Sequence, residues 1–159
     1  MVDFDWLTED EQRVYRAFSK MSRELFNHFD CDLKRDVGIP RTYYEVLFVL
    51  GEAPDGLRMT DLAAATRSAP SRITHAVGKL AADGLVCQRT SAADRRSSTV
   101  HLTDEGERTL RKAAKRHARS VREYLFAALT ERQADELRRI SDKVADRVEE
   151  ATAPKGEAR

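Results

Sequence analysis

A mainly α-helical chain with a small β-hairpin wing, a winged helix-turn-helix set between long terminal helices, is the fold class that this sequence predicts. Three observations predict it. Two short helical patterns, in "TDLAAATR" and "SAPSRITHAVGKLAADG", stand a few residues apart. Two runs rich in β-branched and polar residues, "LVCQRT" and "SSTVHLT", follow them directly. Stripes of apolar residues at helical spacing bracket this middle part at both ends of the chain.

The composition agrees. A chain of 159 residues suits one ordinary core, or one small domain with long accessory helices. With 41% hydrophobic and 35% charged residues it can fold, yet it carries more charge than an average globular protein. The net charge of +1 hides an uneven distribution. Over residues 1–40 the acids Asp3, Asp5, Glu9, Asp10, Glu11, Glu24, Asp30, Asp32 and Asp36 outnumber Arg13, Arg16, Lys20, Arg23, Lys34 and Arg35. Over residues 60–102 the sign reverses, with Arg67, Arg72, Lys79, Arg89, Arg95 and Arg96 against Asp61, Asp83 and Asp94.

In chain order, Thr8 with Glu11 forms a capping-box pattern and opens a first helix striped by Val14, Phe18, Met21, Leu25 and Phe29, which runs to about Lys34. "DVGIP" breaks it, and "RTYYEVLFVLGEA" gives a short, very apolar helix closed by Pro54-Asp55-Gly56. Thr60 is the expected cap of the next short helix. In the helix after it, Ile73, Val77 and Leu80 form the inward stripe, and Gly84 ends it. The two β runs pair as a two-stranded hairpin across "SAADRR". Thr103 caps a long helix to about Leu129 with Leu110, Ala114, His117, Val121, Tyr124 and Leu125 on its apolar side, and Thr130 with Gln133 opens a last helix striped by Leu137, Ile140, Val144 and Val148. These terminal helices are too long to be covered by a winged domain of this size, so the expected division is residues 41–102 for DNA binding, and residues 1–40 with 103–159 for dimerisation in a homodimer.

Double-stranded DNA is the partner that the middle part calls for. Phosphate neutralisation by Lys and Arg supplies much of nucleic-acid affinity, and an exposed helix face reads base edges in the major groove. Arg72 is the foremost reader on the second short helix, with Ser71, Thr74, His75 and Lys79 around it. At the hairpin tip Asp94 can brace one of Arg95 and Arg96 while the other extends into the minor groove, where negative potential concentrates. Taken alone, each feature also fits a solvated polar face. Their combination favours DNA.

Other chemistry finds little footing. Cys31 and Cys87 lie far apart with no C-x-x-C spacing, which argues against structural zinc or a disulfide framework and for a reducing cytoplasm. Cys31 reads first as a small apolar residue near a dimer surface and second as a redox sensor, with Asp30 and Asp32 opposing a thiolate. Cys87 reads as core, His28 and His117 as ordinary partly buried histidines rather than metal ligands, and His75 and His101 as belonging to the DNA-binding part with no ligand-spaced pair. No Ser-His-Asp signature, phosphate-binding glycine loop or metal-ligand cluster marks an enzyme, so no catalytic residue, metal or cofactor is assigned; a helical protein-binding adaptor is the remaining alternative. The N-terminus carries no signal-peptide pattern, and nowhere do about 18 apolar residues run together, so no membrane span is expected.

The segments "YYEVLFVLGEAPDGLRMTDLA", "SRITHAVGKLAADGLV" and "DRRSSTVHLTDEG", the last with "DRR" ahead of "VHLTDEG" as its most specific part, resemble the multiple antibiotic resistance regulator (MarR) family of bacterial winged-helix repressors. The resemblance covers nearly the whole chain. It implies a dimer on a pseudo-palindromic operator, with release by a small aromatic or lipophilic effector or by cysteine oxidation. It also implies an effector cavity between the helical and winged parts, for which Phe26, Phe29, Tyr43, Tyr44, Leu47 and His117 are the candidate walls.

Overall fold

The computed structural model describes residues 6–90 and 98–152. The chain divides into two compact units, Met1–Ser120 and Val121–Arg159.

The first unit begins with α1 (Glu9–Val37), where Thr8 and Glu11 cap each other's backbone N–H groups as the sequence predicts. Acids in its first turn and Lys34 and Arg35 in its last suit the helix dipole. The helix continues past Lys34 because its stop is Gly38, which takes φ +86° and returns its N–H to the carbonyls of Leu33 and Lys34. Pro40 then starts α2 (Arg41–Gly51). Strand β1 (Leu57–Arg58) runs straight into α3 (Met59–Ala65), so Arg58 and not Thr60 is the N-cap; Thr60 is already helical and its hydroxyl faces Asp61. Helix α4 (Pro70–Ala82) follows with Pro70 in its first turn.

The hairpin β2 (Val86–Thr90) and β3 (Ser98–Leu102) forms, but the sheet has three strands in the order β1-β3-β2, all antiparallel. Sequence reading missed β1 because a two-residue strand has no alternation to detect. The register Leu57↔Val100 and Gln88↔Val100 places Val100 at the centre of the inner face. Helix α5 (Asp104–Tyr124) enters under Thr103, whose hydroxyl donates to the Gly84 carbonyl at 2.6 Å and accepts the Gly106 N–H at 3.0 Å. A Cβ on Gly106 would lie 1.9 Å from the Leu85 carbonyl oxygen, so only glycine lets α5 approach the start of β2.

One core fills this unit. Leu33, Val46, Leu47, Leu62, Val77, Leu80 and Val100 are fully buried, joined by Ile73, Leu50, Leu85 and Val86. The expected stripe of α4, Ile73, Val77 and Leu80, is the buried one, with Ala76 beside it. Each such aliphatic side chain contributes about 1.5–3 kcal/mol by burial. On α5 the buried line is Gly106, Ala113 and Ser120, with Leu110 and Ala114 only partly covered, because the small residues are what allow close packing.

A buried ionic network ties α1 to α5. Asp32 is 2% exposed and accepts the Ser120 hydroxyl at 2.7 Å, the Arg116 guanidinium at 2.6 Å and Arg35 at 2.7 Å. Arg116 also donates to Asp36 at 2.5 Å. Burial pushes the Asp32 carboxyl up, but Ser120, Arg116 and Arg35 outweigh it and hold the group below the usual carboxylate value. Arg35 and Arg116 together bring Asp36 down to about 2. The apolar pattern of the sequence gives no sign of this network.

The second unit takes the end of α5, a 3-10 turn (Phe126–Ala128) and α6 (Glu131–Thr152). Helix α5 stops at Tyr124, short of the expected Leu129, because the tighter turn bonds from Ala128 to Leu125 and from Leu129 to Phe126 replace helical ones. Thr130 and Gln133 then cap α6 reciprocally, as expected. Helix α6 buries no residue; Ile140, Val144 and Val148 are each more than half exposed. The outer part of α1 is similar, with Val14, Tyr15 and Phe18 also more than half exposed. Cys31 is exposed in the single chain, and Cys87, expected in the core, is half-buried.

Candidate nucleic-acid interface

Helix α4 is held by its inner face. With Ile73, Ala76, Val77 and Leu80 locked in the core, the 3.6-residue period turns Ser71, Arg72, Thr74, His75 and Lys79 outward, and all five are exposed. The Thr74 hydroxyl donates back to the Pro70 carbonyl at 3.0 Å, which fixes its rotamer and leaves its lone pairs outward. Arg72 and Lys79 form no ion pair with any described residue, so their charge is open to an external anion. Gly78 lies on the same exposed face with nothing within 4 Å of where its Cβ would stand, leaving a gap between His75 and Lys79 where the helix backbone itself can come close to a ligand. The sequence contained that glycine, but its place on the outer face follows only from which residues are buried.

The turn between α3 and α4 is tight. Arg67 adopts φ +49°, a left-handed conformation uncommon for a side chain with a Cβ, and Ser68 donates its N–H to the Ala63 carbonyl at 3.0 Å. Asp94, Arg95 and Arg96 lie outside the described residues.

Behind the turn lies a cavity of about 420 Å³ walled by Tyr44, Glu45, Phe48, Val49, Ala65, Thr66, Arg67 and His117. Of the six candidate effector residues, Tyr44 and His117 line it directly. Phe29 packs edge-on against His117 at 5.0 Å, and Phe26 packs on Phe29 at 6.3 Å beneath the Arg41 guanidinium. Leu47 is fully buried in the core, and Tyr43 faces a neighbouring cavity of about 270 Å³ shared with Thr66, Ser68, Arg72 and His75. Glu45 and Thr66 wall both cavities.

His117 is the unusual group of the larger cavity. Its ring stands 5.0 Å from both Phe29 and Tyr44, and its Nδ1 is buried without a hydrogen-bond partner. Burial, with a smaller push from Arg41, lowers its pKa, so the imidazole is neutral at pH 7. An apolar chamber with one neutral, unsatisfied imidazole suits an uncharged or aromatic ligand portion that carries one hydrogen-bonding group. Among the described residues no group of three or more His, Cys, Asp or Glu is placed to hold a metal ion, and no helix is long and apolar enough to cross a membrane.

The model of the MarR family matches residues 37–97, which takes in α2, the helix-turn-helix and β2 and stops just before β3. Among solved structures, the chain is similar to the MarR family transcriptional regulator Sco3205 of Streptomyces coelicolor, solved in complex with DNA, at 35% identity over 99% of this chain and 97% of that one, with a TM-score of 0.86. AbsC, a MarR family transcriptional regulator of the same organism, is 32% identical over 91% of this chain and 98% of its own, with a TM-score of 0.83. CouR of Rhodococcus jostii RHA1, solved with p-coumaroyl-CoA, shares the fold at 21% identity over 98% of this chain and 100% of its own, with a TM-score of 0.69. No curated protein matches the chain.

Proposed function

The chain belongs to the MarR family of transcriptional regulators, a role that is not enzymatic, and from that premise we propose that it is a dimeric, sequence-specific repressor released from its operator by a small molecule. The observation that carries the reading is the outer face of α4, where Ser71, Arg72, Thr74, His75 and Lys79 stand exposed over a fully anchored inner face. Such a helix enters the major groove without having to rearrange, and Arg72 meets base edges while Lys79 meets phosphate. At the hairpin tip, in residues outside those described, one of Arg95 and Arg96 is proposed to enter the adjacent minor groove while Asp94 braces the other.

Residues 41–102 are the DNA-binding winged helix in this reading, and residues 1–40 with 103–159 the dimerisation region. The apolar stripes of α1 and α6 support a homodimer, since side chains as large as Tyr15, Phe18, Ile140 and Val144 stand more than half exposed in the single chain. Two α4 helices then read the half-sites of a pseudo-palindromic operator, and the working compartment is the cytoplasm, where the DNA is.

The effector is an aromatic or lipophilic compound in the cavity beside His117. That cavity shares Thr66 and Arg67 with the turn that precedes α4, so an occupant that favours one position of the turn favours one spacing of the two recognition helices. The exposure of Cys31 supports a second reading, release by oxidation. Footprinting of the DNA flanking the gene tests the main reading: a protected palindrome that Arg72→Ala weakens is the expected result, and equal affinity for that DNA and a scrambled duplex would sink it.

A further inference from the structure

Two cavities meet at the side chain of Glu45 on α2. It walls the cavity of about 420 Å³ beside His117 and also the cavity of about 270 Å³ that Arg72 and His75 wall from α4. Among the described residues lining each, Glu45 is the one acid. Its neighbours Tyr44, Val46 and Leu47 are buried, so the helix is fixed, while the Glu45 side chain is 37% exposed and has room to turn. The Arg41 guanidinium, one turn earlier, holds its carboxylate. The charge is felt inside the larger cavity, where burial, with a smaller push from Glu45, raises the pKa of the Tyr44 phenol. Arg41 does not depend on Glu45 alone: its N–H donates to Asp30 at 2.8 Å, and its guanidinium lies 4.9 Å from the centre of the Phe26 ring. Arg72, on the wall of the smaller cavity, is exposed and has no ion pair with any described residue.

From this arrangement we infer that Glu45 is the residue through which an occupant of the His117 cavity disables the recognition helix: its carboxylate swings from Arg41 to Arg72 and holds that side chain away from DNA. The inference rests on the repressor reading and supplies the regulation of the same cavity. An aromatic occupant covers the wall that Glu45 forms and strips water from the carboxylate, which is costly for a charge. Turning into the smaller cavity relieves that cost, since the carboxylate leaves the occupant and gains the unpaired guanidinium of Arg72. A change of side-chain rotamer is enough, because both cavities already touch Glu45. The occupant thereby binds one of the two Glu45 positions better than the other, which is the condition for any ligand-driven shift. DNA exerts the opposite bias. Base edges and phosphates that hold Arg72 leave Glu45 with Arg41, so the duplex and the occupant weaken each other by the same factor. Thr66, the other residue common to both cavities, cannot act in this way: it carries no charge, and its hydroxyl is tied to the Leu62 carbonyl at 2.8 Å.

The test measures the affinity of the full-length protein for a duplex covering the DNA that flanks its gene, and for a scrambled duplex, with the cavity empty and filled. Filling is done in two ways: with saturating 2-naphthol, an uncharged aromatic with one hydroxyl for His117, and by Ala65→Trp, which adds an aromatic side chain from an exposed position on the cavity wall. Filling should weaken binding to the flanking DNA by about two- to fivefold, which is what a partly exposed ion pair supplies. In Glu45→Gln, and separately in Arg72→Ala, the ratio of empty to filled affinity should be close to one, because the capture needs both partners. A cooperative melting transition checks that each variant is folded. Weakening that persists in either background would overturn the capture and leave release through the turn before α4 in place. If neither filling weakens binding, the capture and the effector cavity fall together. A wild type that binds both duplexes equally overturns the repressor reading itself.

Discussion

Helices α4 and α6 are alike in sequence and opposite in circumstance. Both carry apolar residues at three- and four-residue spacing among charged ones. In α4 that stripe is buried to the last residue, while α6 buries none. The difference teaches that periodicity identifies a face that needs cover but not what covers it. For α4 the cover is α2, α3 and the sheet of the same chain, and the leftover polar face is free to meet DNA. For α6 the proposed cover is a second copy, and its apolar stripe is the part that meets a partner.

The comparison breaks most severely if α6 is charged. Ile140→Glu with Val144→Glu would place carboxylates in the proposed dimer surface at several kcal/mol each, so light scattering should report monomers, and operator binding should be lost. A dimer that survives would show that the stripe of α6 is not the interface. Truncating the counterpart in α4, Leu80→Ala, should cost roughly 3–4 kcal/mol in a denaturant titration and leave the dimer intact, because the cavity forms inside one chain.

A smaller effect should come from the ionic tie between α1 and α5. Asp32→Asn leaves Arg116 in a nearly closed site with one partner fewer and should destabilise by about 3 kcal/mol. The sign of its pH dependence is fixed. Asp32 and Asp36 are both held below the ordinary carboxylate value of 3.8, Asp36 at about 2, so the stability they bring is full above about pH 4 and is lost as the pH falls toward 2. Melting temperatures of Asp32→Asn should therefore fall less steeply over that range than those of the wild type. Parallel acid limbs would show that the network does not contribute in this way.

Smaller again are substitutions on the outer face of α4. Arg72→Ala should cost about 1–3 kcal/mol of discrimination between operator and scrambled DNA with little change in folding, read by competition binding. The pair Arg95→Ala with Arg96→Ala should instead flatten the salt dependence by roughly three to four units if both copies contact DNA. The least effect is expected at Cys31→Ser, within about 0.5 kcal/mol in stability and unchanged in DNA affinity. Loss of a peroxide response that the wild type possesses would make oxidation, rather than a ligand beside His117, the releasing event.

The helices, the two capping boxes and the inward stripe of α4 were legible in the sequence because they depend on local geometry, whereas the cap expected at Thr60 was displaced to Arg58 by the strand that precedes it. Thr8 with Glu11 and Thr130 with Gln133 satisfy N–H groups three residues away, and the period of α4 names its buried residues without knowledge of what they touch. The family resemblance rested on the same local patterns. Residues 91–97, which include the arginine pair, are not among those described. What only the tertiary structure decided are pairings between residues that no local rule connects. Asp32 and Ser120 meet across 88 positions, a row of Arg58, Thr99 and Arg89 exists across the sheet only through the order β1-β3-β2, and His117 joins Phe29 and Tyr44 from a different helix each. Helix caps and stripes are written by the short-range geometry of the chain. Buried charges, cross-strand rows and cavities are set by long-range packing, in which each partner gains its environment only when the other arrives.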